Sequence, residues 1–242
     1  MRYLAFLSYD GTSYDGWQIQ VSPGSIQEEV EKVLSTILNT PTKVYASGRT
    51  DKGVHAIRQA MHFDAKEIKD IGKFTYSVNS LLPDDLFITE IRLVDDSFQA
   101  RYDVKTKTYD YYINVGEYDV FKRNLHYQFL RSLDIEKMRK CLELFIGEHN
   151  FQNFTVKDED KSNFVRTIYS ASITKENDII KVSFTGNGFM RYMVRMLVGT
   201  LIEVGLNRLD IKDVEFILNE KTRKVVSYKA PAQGLYLVDV SY

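Results

Sequence analysis

Residues 42–64 read Thr-Lys-Val-Tyr-Ala-Ser-Gly-Arg-Thr-Asp-Lys-Gly-Val-His-Ala-Ile-Arg-Gln-Ala-Met-His-Phe-Asp, and the fold turns on how this stretch divides. Residues 42–46 read as one strand and 57–64 as a second, joined by a glycine-bearing loop. The loop sets Asp51 between Gly48 and Gly53, flanked by Arg49, Lys52 and His55. Glycine at both ends permits a tight turn and leaves the carboxylate uncovered by a bulky side chain. Three potential cations nearby favour its ionised form. Such a loop suits a carboxylate nucleophile, or an electrostatic anchor, facing a polyanionic substrate.

Working outward, residues 2–9 alternate as a strand, and Ser25 caps a helix with Glu28 completing a capping box. Ile26, Val30, Val33, Leu34, Ile37 and Leu38 form its apolar stripe. After residue 64 the pattern predicts a helix over 66–81, ended by Pro83, and a strand over 86–94. The second half opens with a tyrosine-rich strand, 106–115. A helix at 134–146 follows, with Asp134 as cap and Gly147 as stop. Strands at 165–174 and 179–185 turn at Asn177-Asp178, and a long apolar helix is expected over 188–204. A short helix from Asp210 to Leu218 and a final strand, 235–241, complete the chain.

Both halves therefore run β-α-β-β-α-β, with one added helix in the second, which is the split βαβ or ferredoxin-like order. The expected fold class is α+β, divided into an N-terminal half, 1–103, and a C-terminal half, 104–242. The two halves are expected to form one mainly antiparallel sheet with helices on one face and a cleft on the other. No residue-level repeat supports the duplication, which rests on element order.

The 242 residues can bury a substantial core. A single cysteine, Cys141, excludes an internal disulfide and fits a reducing compartment. Residues 3–9 are too short for a signal segment, and no apolar run approaches the ~20 residues of a membrane span. The expected location is cytoplasmic. Asn153-Phe154-Thr155 is a formal glycosylation sequon, without meaning unless the chain is exported.

A net charge of −1 counts at first against a nucleic-acid partner. The charge is segregated, however. Arg191 and Arg195 stand in 186–200 without an acid, Arg101, Lys105 and Lys107 face only Asp103, and Lys122, Arg123, His126 and Arg131 cluster in 122–131. Acids gather elsewhere, as at Glu28, Glu29 and Glu31 or Asp158, Glu159 and Asp160. Segregation of this kind can build a positive cleft on a near-neutral protein, although any one run reads equally as a solvated face.

Gly48-x4-Gly53 has the glycine spacing of a phosphate-binding loop, but Val54-His55 follows where Lys-Ser/Thr is required. That failure removes a nucleotide hydrolase. Histidines 55, 62, 126 and 149 have no metal-like spacing with one another or with Cys141, so no metal is expected. The segment Tyr9 to Gln18 joins turn residues to aromatics and reads equally as scaffold or as site. On the strand at 106–115, Tyr109 and Tyr111 share a face while Tyr112 points the other way. An aromatic beside a basic site can stack on a nucleobase, though a strand tyrosine taken alone is more often core. Arg191 and Arg195 lie four apart on one face of the expected apolar helix. An arginine in apolar surroundings needs a carboxylate or phosphate, which favours Arg195 as partner of an active-site acid.

Taken in order, these segments resemble the tRNA pseudouridine synthase A family over nearly the whole chain. Tyr9-Asp-Gly-Thr, Gly48-Arg-Thr-Asp51-Lys-Gly-Val-His55, Leu82-Pro-Asp-Asp85, Phe98-Gln-Ala-Arg101, Tyr109, Phe189 to Gly199, Ala230-Pro231 and Gly234-Leu-Tyr-Leu237 carry the resemblance. It implies the pseudouridine synthase fold and uridine isomerisation without cofactor, metal or ATP. Asp51 would be the catalytic aspartate, attacking the base or the ribose C1′. Arg49 would displace the target nucleotide, Tyr109 would stack on the uracil and assist a proton step, Arg195 would pair with Asp51, and Leu235 would floor the pocket. Arg101 and Arg191 would contribute to substrate binding. The resemblance further implies a homodimer that takes the anticodon stem-loop of tRNA and modifies positions 38–40. Two departures bear on the RNA target: Gln99 stands where His or Asn is expected, and residues 155–163 are acidic. The alternatives are a paralogue with the same chemistry on ribosomal RNA, and a non-catalytic RNA-binding protein of two RRM-like halves. The latter lacks the RRM aromatic signature and leaves the Asp51 loop without a role.

Overall fold

The strand that begins the chain has apolar residues on both faces, and that makes it central. The computed structural model describes residues 1–21, 23–156, 163–220 and 222–242. In chain order the first elements are β1 (Arg2–Tyr9), α1 (Ile26–Leu38), β2 (Val44–Ala46), β3 (His55–Asp64), α2 (Ile71–Asn79) and β4 (Leu86–Val94). There follow β5 (Thr106–Asn114), β6 (Tyr127–Gln128), α3 (Ile135–Glu143), β7 (Gly147–Asn150), β8 (Val165–Glu176) and β9 (Ile179–Gly186). The chain ends with α4 (Met193–Gly205), α5 (Ile211–Asn219) and β10 (Leu235–Ser241). The acidic run at Asp158, Glu159 and Asp160 lies outside the described residues. The chain is thus mixed α+β, with mainly antiparallel strand pairing, and it forms two compact units.

The first unit comprises Met1–Lys105 and Tyr236–Tyr242. Its β1 lies between β3 and β4, antiparallel to both, with Tyr3 to Leu7 all buried. β3 is long enough to split its other edge. Residues 61–63 pair antiparallel with β2, and residues 55–56 pair in parallel with Tyr236 and Leu237 of β10. The last strand therefore pairs with a strand from the N-terminal half, which element order does not reveal. Ser25 caps α1 by accepting from Glu28 N–H at 3.2 Å. The Glu28 carboxylate reaches Gly24 N–H instead of the cap's own, so only half of the expected capping box forms. Ile26, Val30, Val33 and Leu34 are buried from this helix, at about 1.5–3 kcal/mol each.

The second unit, Thr106–Leu235, has the strand order β5-β9-β8-β7 with β6 added in parallel beside β5. The turn at Asn177 adopts φ 52°, as its Asn-Asp pair suggested. α4 is apolar nearly all round and is buried accordingly, with Arg195 and Glu203 as the exceptions. α3 packs against it.

Three helices are shorter than the sequence pattern predicts. α2 begins at Ile71 because Asp70 caps it through Lys73 N–H, and Ile68 N–H is engaged by the Tyr3 hydroxyl at 2.9 Å. α3 stops at Glu143, and Gly147, expected as its stop, opens β7 with φ +109°. α4 begins at Met193 rather than 188, because Tyr192 takes a left-handed conformation, φ 62°. Arg191 thus precedes the helix, and its carbonyl accepts from Thr155 Oγ1 at 2.9 Å. The expected pairing of Arg191 and Arg195 on one helix face does not form.

The sequon at Asn153 is structural. Asn153 is 1% exposed, and its amide donates to Ile217 and Glu220 carbonyls while accepting from Lys224 N–H. Among the described residues no helix is long and apolar enough to cross a membrane.

Candidate active site

The loop from Ser47 to Val54 hangs between β2 and β3, and its position is set by buried polar contacts. Gln59 on β3 is fully buried; its Nε2 donates to the Gly48 carbonyl at 3.0 Å and its Oε1 accepts from Ser47 Oγ at 2.8 Å. Thr50 turns inward, with Oγ1 2.8 Å from the buried Tyr9 hydroxyl, and its carbonyl accepts from Trp17 N–H. Burial pushes the Tyr9 hydroxyl well above the usual tyrosine range, so it stays protonated and available as a donor. Val54 N–H closes the turn onto the Asp51 carbonyl at 3.1 Å. Within this frame Asp51 is half-buried, and Arg49 and Lys52 are exposed.

The segment after β1 forms the floor of this loop. A Cβ on Gly11 would meet the Val54 carbonyl oxygen at 2.1 Å, and one on Gly16 would meet the Thr50 carbonyl oxygen at 2.8 Å. Gly16 also has φ +91°. Both glycines let backbone lie on backbone. The stretch from Tyr9 to Gln18, which reads equally as scaffold or site, is the bed on which the Asp51 loop rests.

The cations expected around Asp51 are distributed differently. Lys52 forms an ion pair with Asp15, Nζ to Oδ1 2.6 Å. His55 begins β3 and is 1% exposed; its Nδ1 accepts from Gly11 N–H at 3.1 Å. Asp10 Oδ1, also 3.1 Å from Nδ1, accepts instead from Thr12 N–H and Oγ1–H. The ring stacks on Tyr236 with centroids 4.6 Å apart. His55 is thus a strut beneath the loop. Of the two expected hinge glycines, Gly53 has a left-handed backbone, φ +75°, and Gly48 does not. Arg101 lies on the separate loop after β4, exposed, with its guanidinium 5.5 Å from the Tyr102 ring centre.

The remaining predicted residues belong to the second unit. Tyr109 on β5 is 9% exposed and meets Phe189 edge to face, centroids 5.3 Å apart. Tyr111 shares that face, and its hydroxyl donates to the Pro231 carbonyl at 2.7 Å. Tyr112 faces the other way, stacked on His126. Leu235 is buried at the start of β10. Arg195 is clasped by Ala230: its Nε donates to the Ala230 carbonyl at 2.8 Å, and Ala230 N–H donates to the Arg195 carbonyl at 3.0 Å. Arg191 and Arg195 each lie over the Tyr192 ring, at 5.0 and 5.3 Å from its centre. Lys229 lies 4.4 Å over the same ring. Sequence reasoning passed over Gln59, and it placed Tyr192 and Ala230 in family segments without giving either a role. The glycines at 11 and 16 were the one available signal for the bed beneath the loop.

Among the described residues no group of three or more His, Cys, Asp or Glu side chains could hold a metal ion. What the first unit offers is a half-buried aspartate on a loop floored by Gly11 and Gly16, with the exposed Arg49 two residues before it. That arrangement can present a nucleophile to a polyanion.

Comparison with known proteins identifies the family. A family model described as tRNA pseudouridine synthase matches residues 142–242. The chain is 40% identical over 241 residues to the tRNA pseudouridine synthase A of an Exiguobacterium species, covering 100% of this chain and 98% of that relative. It is 40% identical over 238 residues to the Staphylococcus carnosus protein of the same name, covering 98% of this chain and 89% of that one. A Geobacillus relative, also named tRNA pseudouridine synthase A, is 41% identical over 238 residues, covering 98% and 96%. Identity at this level along the full length fixes the assignment: the chain belongs to the tRNA pseudouridine synthase A family.

Proposed function

We propose that the protein isomerises uridine to pseudouridine in tRNA, with Asp51 as nucleophile. The observation that carries this reading is the Asp51 loop itself, whose backbone rests on Gly11 and Gly16, with Asp51 half-buried and the exposed Arg49 two residues before it.

The Asp51 carboxylate attacks the uracil ring or the ribose C1′, and the N1–C1′ bond breaks. The uracil turns until C5 faces C1′, the C5–C1′ bond forms, the bond to Asp51 breaks, and the C5 proton leaves while N1 takes one up. The product has the atoms of the substrate, so neither oxidant nor ATP enters the balance. The target base must first leave its stack, at a cost of a few kcal/mol. Arg49 fills the space it vacates. Tyr109 stacks on the flipped uracil, held upright by Phe189, and assists the proton step. Arg195 pairs with Asp51 through its terminal nitrogens, since Nε is engaged by Ala230. Leu235 floors the pocket, and Arg101 and Arg191 bind the RNA backbone. The target is the anticodon arm at positions 38–40, and the enzyme works as a cytoplasmic homodimer.

Tritium release from tRNA labelled at uridine C5 tests this directly. The wild type is expected to release tritium and Asp51→Ala to fall to background. Release that persists in Asp51→Ala overturns the nucleophile assignment, and release from ribosomal RNA alone overturns the tRNA assignment. Pseudouridine mapped outside positions 38–40 overturns the choice of arm.

A further inference from the structure

The second unit holds a cavity of about 360 Å³ against the C-terminal part of α4. Its volume lies in the ~300–1,000 Å³ range of small-ligand pockets. Tyr127, Phe129 and Arg131 form one wall, and Tyr228 and Lys229 form another. Arg208 stands at the end of α4, with Nη1 3.9 Å from Glu203 Oε1. Three cations therefore share the cavity with one carboxylate. Arg131 and Glu203 both line the cavity beside Tyr127, whose hydroxyl is pushed up mainly by burial.

Two backbone features are built around this space. Leu130 adopts φ 59°, a conformation rare for a bulky residue and concentrated at functional sites. It is held there by Asn114, whose carbonyl accepts from both Phe129 N–H and Leu130 N–H at 2.9 and 3.0 Å. The turn brings Phe129 and Arg131 to the same cavity. Opposite, a Cβ on Gly199 would meet the Tyr228 carbonyl oxygen at 2.7 Å, so the second wall lies directly on the α4 backbone. That wall continues into Ala230, which Arg195 clasps from both sides.

Guanidinium groups match phosphate oxygens in bidentate geometry, and aromatic walls accept the face of a base. A small inorganic anion has no use for three aromatic rings, and an apolar partner surface has none for three cations. Lys229 also joins the cavity to the cationic group around Tyr192, so the basic surface runs on toward Arg195.

We propose that this cavity binds a second nucleotide of the RNA substrate, distinct from the isomerised uridine. Its phosphodiester lies against Arg131, Arg208 and Lys229, and its base against the aromatic walls. The proposal rests on the reading of the protein as an RNA-modifying enzyme and adds a subsite to it.

The test measures full-length tRNA binding to the Asp51→Ala protein by fluorescence anisotropy at several salt concentrations, alone and with Arg131→Gln and Arg208→Gln. Removing both cations is expected to weaken binding about tenfold near 0.1 M salt and to lower the salt slope by about 1.4–1.8. Tyr127→Ala is expected to weaken binding with the slope retained, and tritium release by Arg131→Gln in the Asp51 background of the wild type is expected to show a raised KM. Thermal melting checks that each variant is folded, and Arg131→Lys, which restores the charge, is expected to recover most of the slope. Unchanged affinity and slope in the folded double variant overturns the proposal even where the wild type is active. Loss of dimer mass in light scattering with tRNA affinity unchanged also overturns it, assigning the cavity to a contact between copies. A wild type that releases no tritium from tRNA sinks the underlying functional reading instead.

Discussion

Gly11 lies on Val54 with no room for a side chain: a Cβ at residue 11 would stand 2.1 Å from the Val54 carbonyl oxygen and 2.7 Å from its carbonyl carbon. The same glycine donates its N–H to His55 Nδ1, so it touches the Asp51 loop at its exit and at the strut beneath it. Gly11→Ala must push the loop away from β1. We expect a stability cost of about 1–3 kcal/mol, as for overpacking of a core. A displacement near 1 Å at a catalytic group costs on the order of a hundredfold in turnover. Urea unfolding combined with tritium release checks both; full turnover in a folded Gly11→Ala protein would mean that the bed of the loop does not position Asp51.

Arg195 gives a second prediction, because its Nε is already engaged and the proposed mechanism asks its terminal nitrogens to serve Asp51. Nε holds the Ala230 carbonyl, and the helix backbone returns the contact through Ala230 N–H. Lysine keeps the charge but has one ammonium where arginine has a fork. Under the proposed pairing with Asp51, Arg195→Lys can serve Ala230 or Asp51, not both. The expected result is a kcat reduced by at least about tenfold, the loss of roughly one charge-assisted hydrogen bond, with the melting temperature nearly retained. Turnover equal to wild type would show that the fork geometry is dispensable.

The sequence carried the local features and missed the distant ones, for a physical reason. Ser25, Asp134 and Asp210 announce helix starts because a cap is a contact within three residues. β4 and β10 fall on the predicted residues because alternation is also local. The start of α4 was not legible, since Phe189 to Tyr192 has helical composition. Its backbone is set by Tyr192 in a left-handed conformation and by Thr155, 36 residues away. Gln59 is polar on a strand and reads as solvent-facing, and only the assembled loop shows that Ser47 and Gly48 need it inside. β6 and β7, at two and four residues, exist through their pairing with β5 and β8 and leave no periodic trace. For the site, a carboxylate among glycines and cations was readable at once. That Lys52 belongs to Asp15 and His55 to Gly11 was not, because those partners come from the segment after β1.

His62 yields the pH dependence. It is 2% exposed, stacked on Tyr45, and its Nδ1 accepts from Ala100 N–H at 3.1 Å. Burial first, and then the Arg2 charge, hold it below the usual histidine range against the weaker opposing pull of Asp64 and Asp103. With the folded value depressed, the unfolded chain binds the proton more readily. Stability is therefore full above the unperturbed value of about 6.5 and falls as pH drops from there through the folded value. Asp64, held low by its hydrogen bonds to Arg2, begins to lose its own contribution only below the usual carboxylate value of 3.8. Urea midpoints measured from pH 7.5 to pH 5 should fall in the wild type and fall less in His62→Asn, whose Oδ1 takes the place of Nδ1 and can still accept from Ala100 N–H. Parallel curves for the two proteins would remove His62 as the source of the fall.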